Sequence, residues 1–234
     1  MTGTLINVGA ILVGGLVGLL LGSRLADRIK RTVISGLGLF TLVYGVSLFL
    51  KTQNALIVLG SLLLGILIGE WWRIEEGLQN LGVWLEARFN HGNQNADKDK
   101  FIKGFLAATL VFCIGPMAIL GSIEDGLTGN VNTLVVKSIL DGFGAMAFAS
   151  SLGVGVLFSA LMVLIYQGSI SLLAAQVQSV ATPVMMSELT ATGGVILMGI
   201  ALSGLLEIKQ IRTASYLPAL MLAPLIVFLI TLIN

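Results

Sequence analysis

The stretch "LVVKSILDGFGAMAFASSLG", residues Leu134 to Gly153, decides the fold class. It is mostly apolar and about 20 residues long, the length a helix needs to cross roughly 30 Å of hydrocarbon. Yet Lys137 and Asp141 stand one helical turn apart within it. Apolar runs of about 18 to 22 residues recur along the chain, each long enough to span. Of the 234 residues, 56% are hydrophobic and only 11% charged. Mean hydropathy is +0.99, whereas a soluble domain carries about 25% charged residues. The sequence therefore reads as an all-α, polytopic transmembrane helix bundle with no room for a soluble catalytic domain.

Eight spans are expected: Leu5 to Gly22, Val33 to Leu50, Ala55 to Trp72, Phe101 to Gly121, Thr133 to Gly153, Val154 to Ala175, Thr190 to Leu206 and Tyr216 to Ile233. The turn "SSLGVG" between the fifth and sixth has almost no polar spacer, and a re-entrant hairpin there would lower the count to seven or six. Basic residues in short loops mark the cytoplasmic side. Arg24, Arg28, Lys30 and Arg31 follow the first span; Arg73, Arg88, Lys98, Lys100 and Lys103 follow the third; Lys209 and Arg212 follow the seventh. All three groups fall on one side of an eight-span chain. Both termini are then expected outside, in a bacterial inner membrane. The basic residues follow the first apolar run instead of preceding it, unlike a cleavable signal.

Between Arg73 and Phe89, a stripe of Ile74, Leu78, Leu81, Leu85 and Phe89 makes an amphipathic helix, with Glu75, Glu76, Gln79 and Glu86 elsewhere. It suits either the membrane interface beside Trp71, Trp72 and Trp84 or an extension of the third span packed on the bundle. The polar linker "NHGNQNADKDK" follows. Residues 1–100 read as a first helical unit and 101–234 as a second, within one integral membrane domain. An inverted three-helix repeat of the transporter kind finds only scattered matches, such as Leu21-Gly22-Ser23 with Leu120-Gly121-Ser122.

Gly14, Gly18 and Gly22 form one small-residue face, and Gly65 and Gly69 another. Such faces let helices approach closely in lipid, either within the subunit or at a homodimer seam. Pro116 removes a backbone donor and breaks or kinks the fourth span near Gly115. Glu124 and Asp125 follow in what reads as a glycine-punctuated loop.

Lys137 and Asp141 lie four residues apart on one helix face. Each charge alone costs about 2.5 to 3.5 kcal/mol at a helix centre on insertion scales. One reading is structural, an interfacial Lys snorkelling outward while it neutralises the Asp. The other is functional, because intramembrane ionisable groups mark ion and substrate paths. Ser150 and Ser151, with Tyr166, Gln167 and Gly168 on the sixth helix, supply hydroxyls, an amide and backbone for a small ion or polar solute. A cation arriving at the carboxylate would displace the ammonium. The segment "QVQSVATPVMMSELTATGG", with Glu188, is too polar to span and reads as an outer connector or a cap on the outer mouth.

Enzyme signatures are missing. His91 is the single histidine and Cys113 the single cysteine, which excludes an intrachain disulfide and a His-based zinc motif. No G-x-S-x-G, P-loop or CxxC is present. Ser150 or Ser151 would sit about 20 Å along a straight helix from Lys137, too far for a nucleophile–base dyad. A net charge of +1 gives no footprint for nucleic acid. No cofactor is implied, and a metal is neither implied nor excluded.

The run "GPMAILGSIEDGL", followed by "KSILDGF" and "IYQGSISLLA", resembles the bacterial membrane-protein family catalogued as domain of unknown function 554, over essentially the whole chain. That resemblance puts a polar signature on Gly115, Pro116, Gly121, Glu124, Asp125, Gly126, Lys137, Asp141, Gly142, Gln167 and Gly168. Members are often described as candidate transport proteins, which implies an architecture and a site location without a substrate. The expectation is a small transporter or ion-coupled permease with Asp141 as ion-binding carboxylate and Lys137 as its counter-charge. The alternative is a structural or regulatory protein that dimerises through glycine faces and recruits a cytoplasmic partner. At Lys137 and Asp141, a cavity lined by Gln167 and the Gly115-Pro116 break would favour transport, and a dry seam would sink that reading.

Overall fold

The computed structural model describes residues 1–22, 26–89, 95–113, 116–176 and 182–233, and among them no strand forms. The chain runs through α1 (Thr2–Gly22), α2 (Asp27–Phe49), α3 (Ala55–Trp71), α4 (Ile74–Phe89), α5 (Asn95–Cys113), α6 (Pro116–Thr128), α7 (Asn132–Leu152) and α8 (Ser159–Leu172). It ends with α9 (Pro183–Ile200) and α10 (Pro218–Ile233). Short 3₁₀ turns at Val154–Phe158 and Thr213–Tyr216 lead into α8 and α10, and a π turn at Ala201–Leu205 extends α9. Six helical stretches are each long and apolar enough to cross a membrane. Two more candidates are bent pairs, α3 with α4 at 57° and α5 with α6 at 61°.

Two compact units alternate along the chain: residues 1–37 with 79–179, and residues 38–78 with 180–234. In the first, α1 lies backbone to backbone along α7. Gly14 faces Gly142, Gly18 faces Met146 and Gly22 faces Ser150, each so closely that a Cβ would strike a main-chain carbonyl. Both residue series rise together, so the two helices are parallel. Without side chains at these steps the helices gain dispersion contact along their whole length, which is what drives association where lipid is as apolar as leucine. In the second unit, Gly45 of α2 meets Gly194 and Met198, while Gly38 meets Leu205 and Leu206, an antiparallel pairing. Gly65 of α3 meets Ala219 and Gly69 meets the Ser215 carbonyl, again antiparallel. The glycine faces that the sequence offers to a second copy are thus filled by the chain's own helices.

These directions are compatible with the upper end of a count of six to eight spans. Successive spans alternate in direction, so a parallel α1–α7 pair needs an odd number of crossings between them. An antiparallel α3–α10 pair needs an even number. Both conditions hold when each bent pair counts as one crossing, giving eight spans. Gly153, at φ +84°, ends α7. The next apolar stretch, Val154–Leu172, is itself long and apolar enough to cross a membrane.

Three local expectations change. The seventh span starts at Pro183 instead of Thr190: the Thr182 hydroxyl accepts from the Met185 N–H at 3.2 Å and caps the helix. Residues that read as a polar connector, Glu188 among them, are therefore helical. The second change concerns α4, whose Leu81 and Leu85 pack on Phe101 and Phe105 of α5, while Trp71, Trp72 and Trp84 are exposed. Glu75, off the apolar stripe, is buried instead and accepts the Ala214 N–H at 2.8 Å. Arg212 pairs with Glu70 at 2.7 Å and Glu76 at 3.4 Å beside it. The third concerns Glu124 and Asp125, which read as a loop: the helix that Pro116 opens runs on to Thr128 and includes both.

Gly18→Ala is expected to lose about 1–3 kcal/mol through overpacking against α7. Gly9→Ala, where a Cβ has nothing within 4 Å, should be neutral or gain up to about 1 kcal/mol of helix propensity. Reversible denaturation in detergent would separate the two, and equal effects would refute the close α1–α7 contact.

Candidate functional site

Helix α7 holds Lys137 and Asp141 one turn apart, and the ammonium is bonded to the carboxylate Oδ2. They are only 6% and 8% exposed. Lys137 does not snorkel outward; its whole stem is enclosed. Two other helices complete the site. From α1, the fully buried Asn7 donates through Nδ2 to Asp141 Oδ2 at 2.9 Å and to Gln167 Oε1 of α8 at 3.3 Å.

The orientation of both amides follows from the carboxylate. An ionised carboxylate only accepts, so the Asn7 NH₂ must face it, and the Gln167 oxygen must then face the Asn7 NH₂. That arrangement leaves Asn7 Oδ1 and Gln167 Nε2 buried with no hydrogen-bond partner among the described residues. Thr4 Oγ1 is in the same condition, three residues before Asn7 and so on the same face of α1. A buried polar group left unsatisfied costs about 1–3 kcal/mol, and native folds keep few of them. Two of these atoms, Asn7 Oδ1 and Gln167 Nε2, belong to side chains of this site, and Thr109 Oγ1 of α5 is a further unpartnered buried atom. Near the end of α5, Phe112 packs against Phe148 of α7, ring centroids 6.1 Å apart.

The residues singled out in the sequence divide into three groups. Lys137, Asp141 and Gln167 come together. Ser150 and Ser151 do not, since they lie about 14 Å farther along α7; the Ser150 hydroxyl donates to the Ala147 carbonyl at 2.8 Å. Glu124 accepts from Thr133 Oγ1 at 2.7 Å near the junction of α6 and α7. Gly115 lies outside the described residues, and Pro116 opens α6. Asn7 and Thr4 were missed. The signal was available, since Asn7 is the one amide in an otherwise apolar first span.

Asp125 has a distinct position. Its carboxylate, 1% exposed, accepts the Gly3 N–H at 3.0 Å and pairs with the Met1 amino group at 3.0 Å. It thereby satisfies an orphan donor and opposes the positive end of α1. Glu188 does the same for α3 in the second unit. Fully buried, it accepts from Thr52 Oγ1 at 2.6 Å, the Gln53 N–H at 2.7 Å and the Asn54 N–H at 3.0 Å. Among the described residues, no three His, Cys, Asp or Glu side chains gather as a metal-binding group.

The sequence profile of the family described as "Protein of unknown function (DUF554)" matches residues 2–228. An Escherichia coli K12 protein, "Uncharacterized protein YqgA", is 36% identical over 221 residues, covering 94% of each chain. The Bacillus subtilis 168 protein "Uncharacterized membrane protein YdfK" is 29% identical, covering 98% of this chain and 97% of its own. No solved structure matches the chain significantly.

Glu188→Ala is expected to destabilise the protein by about 3 kcal/mol, because three donors lose their shared acceptor. Glu188→Gln should cost less, its amide oxygen still accepting. Denaturation midpoints in detergent give the comparison; an Ala variant as stable as the parent would refute the cap.

Proposed function

We propose, from the premise that the chain belongs to the DUF554 family of multi-pass membrane proteins, that it is a small permease for an ion or polar solute. Asp141 is the binding carboxylate, Lys137 its counter-charge, and Asn7 and Gln167 are polar ligands. The observation that carries this reading is the gathering of a buried ion pair and unpartnered amide atoms from three spans. A pair kept only for stability gains nothing from leaving Asn7 Oδ1 and Gln167 Nε2 unmatched, and apolar replacements of an ion pair are often more stable.

The pair lies enclosed in a helix seam, the outcome that weighs against transport, and what supports the reading is the unpartnered buried atoms of Asn7 and Gln167. The α5–α6 bend beside Cys113 and the Gly153 break after α7 supply joints at which spans can move. Broken helices at binding depth are a recurring device of secondary transporters. By the positive-inside rule the basic loops face the cytoplasm, which puts both termini outside the bacterial plasma membrane.

A structural or regulatory protein that dimerises through Gly14, Gly18, Gly22, Gly65 or Gly69 draws less support, because those faces pack within the chain. An enzymatic role draws none from the motifs present.

The test is solute and ion flux into liposomes holding the purified protein. Asp141→Asn should lower flux by at least about tenfold while the protein still elutes as a folded species, and Asn7→Ala should lower it less. Ser150→Ala, remote from the pair, should leave it unchanged. Flux that survives Asp141→Asn would overturn the assignment.

A further inference from the structure

The geometry points to a monovalent alkali cation as the ligand of Asp141, with the Lys137 ammonium as a built-in competitor for the same carboxylate. This inference rests on the site assignment of the permease reading. It begins from the oxygens on hand. Asp141 offers a carboxylate, Gln167 an amide oxygen that now accepts from Asn7, and Asn7 Oδ1 is buried and unpartnered; Thr4 Oγ1, three residues earlier on α1, is buried and unpartnered too. Hard oxygen donors of this kind replace the hydration shell of small hard cations. Among the described residues no His, Cys or carboxylate cluster offers the softer or more highly charged set that a transition metal or divalent ion requires.

Charge decides the valence. The site has one carboxylate, and the ammonium now bonded to it fills the place of one positive charge. A divalent ion would leave uncompensated charge at membrane depth, where each buried charge is costly unless paired. The Asn7 amide is turned with its nitrogen to the carboxylate because the present cation, an ammonium, leaves the carboxylate needing further donors. With a metal cation on Asp141, a half-turn of that amide would present its oxygen to the ion, and the unpartnered Oδ1 would gain its partner.

The ammonium now occupies the same carboxylate oxygen, Asp141 Oδ2, that a cation would bind. Binding of the cation and residence of the ammonium on Asp141 are mutually exclusive.

The experiment measures the melting temperature of the full chain in detergent by tryptophan fluorescence. Sodium, lithium and potassium chloride are titrated against choline chloride at matched ionic strength. The parent protein should show a shift specific for one or more alkali ions. Lys137→Gln should move the half-saturating concentration at least tenfold lower, Thr4→Val and Asn7→Ala should raise it, and Asp141→Asn should abolish the shift. If Lys137→Gln fails to fold, the parent and Asp141→Asn arms still decide. An alkali-specific shift absent from the parent and from folded Lys137→Gln overturns the inference, as it would if the unpartnered atoms hold only water. A shift that survives Asp141→Asn overturns it too. Liposome flux without any alkali-specific shift removes the cation while leaving the permease reading. The reverse pattern, a shift without flux, supports the cation site and removes the permease.

Discussion

The close approach of α1 and α7 is the contact on which the polar site depends. Three glycines on α1 remove the side chains that would hold the helices apart, and the backbone of α7 fills the space. Only at that separation can Asn7, a short side chain, reach Asp141 at 2.9 Å. The same contact shuts lipid out of the seam, so Lys137 and Asp141 are buried in protein instead of facing hydrocarbon. Small residues and ionisable residues are thus two halves of one arrangement: the first make the enclosure, and the second use it.

Helix ends supply the other constraint. In a bilayer the orphan N–H groups of a first turn have no water to turn to, so each needs an acceptor from the protein. Asp125 serves α1 and Glu188 serves α3, each from another helix of its own unit.

Much of this was legible in the sequence, and the misses share a physical cause. The apolar helices and the Gly153 turn are local features, and hydropathy and glycine position find them. The start of α9 was misplaced because Ser187, Glu188, Thr190 and Thr192 look too polar to be enclosed. Glu188 is enclosed because backbone donors from residues 53 and 54 reach it, and no window of sequence shows that. Asn7 was overlooked because attention went to formal charges, although an amide in an apolar span also demands a partner. Ser150 and Ser151 shared a helix with Asp141, but nine residues of rise carried them away from it. Which helices pair was beyond reach, since glycine spacing marks a contact face without naming its partner.

The central claim, that Asn7 and Asp141 act as one unit across the α1–α7 seam, is tested most directly by a double-mutant cycle on folding stability in detergent. The variants are Asn7→Ala, Asp141→Asn and the pair. The account predicts a coupling of about 1 kcal/mol or more, the range found for residues that share a hydrogen-bond network. Additive effects, to within about 0.3–0.5 kcal/mol as for independent sites, would contradict it.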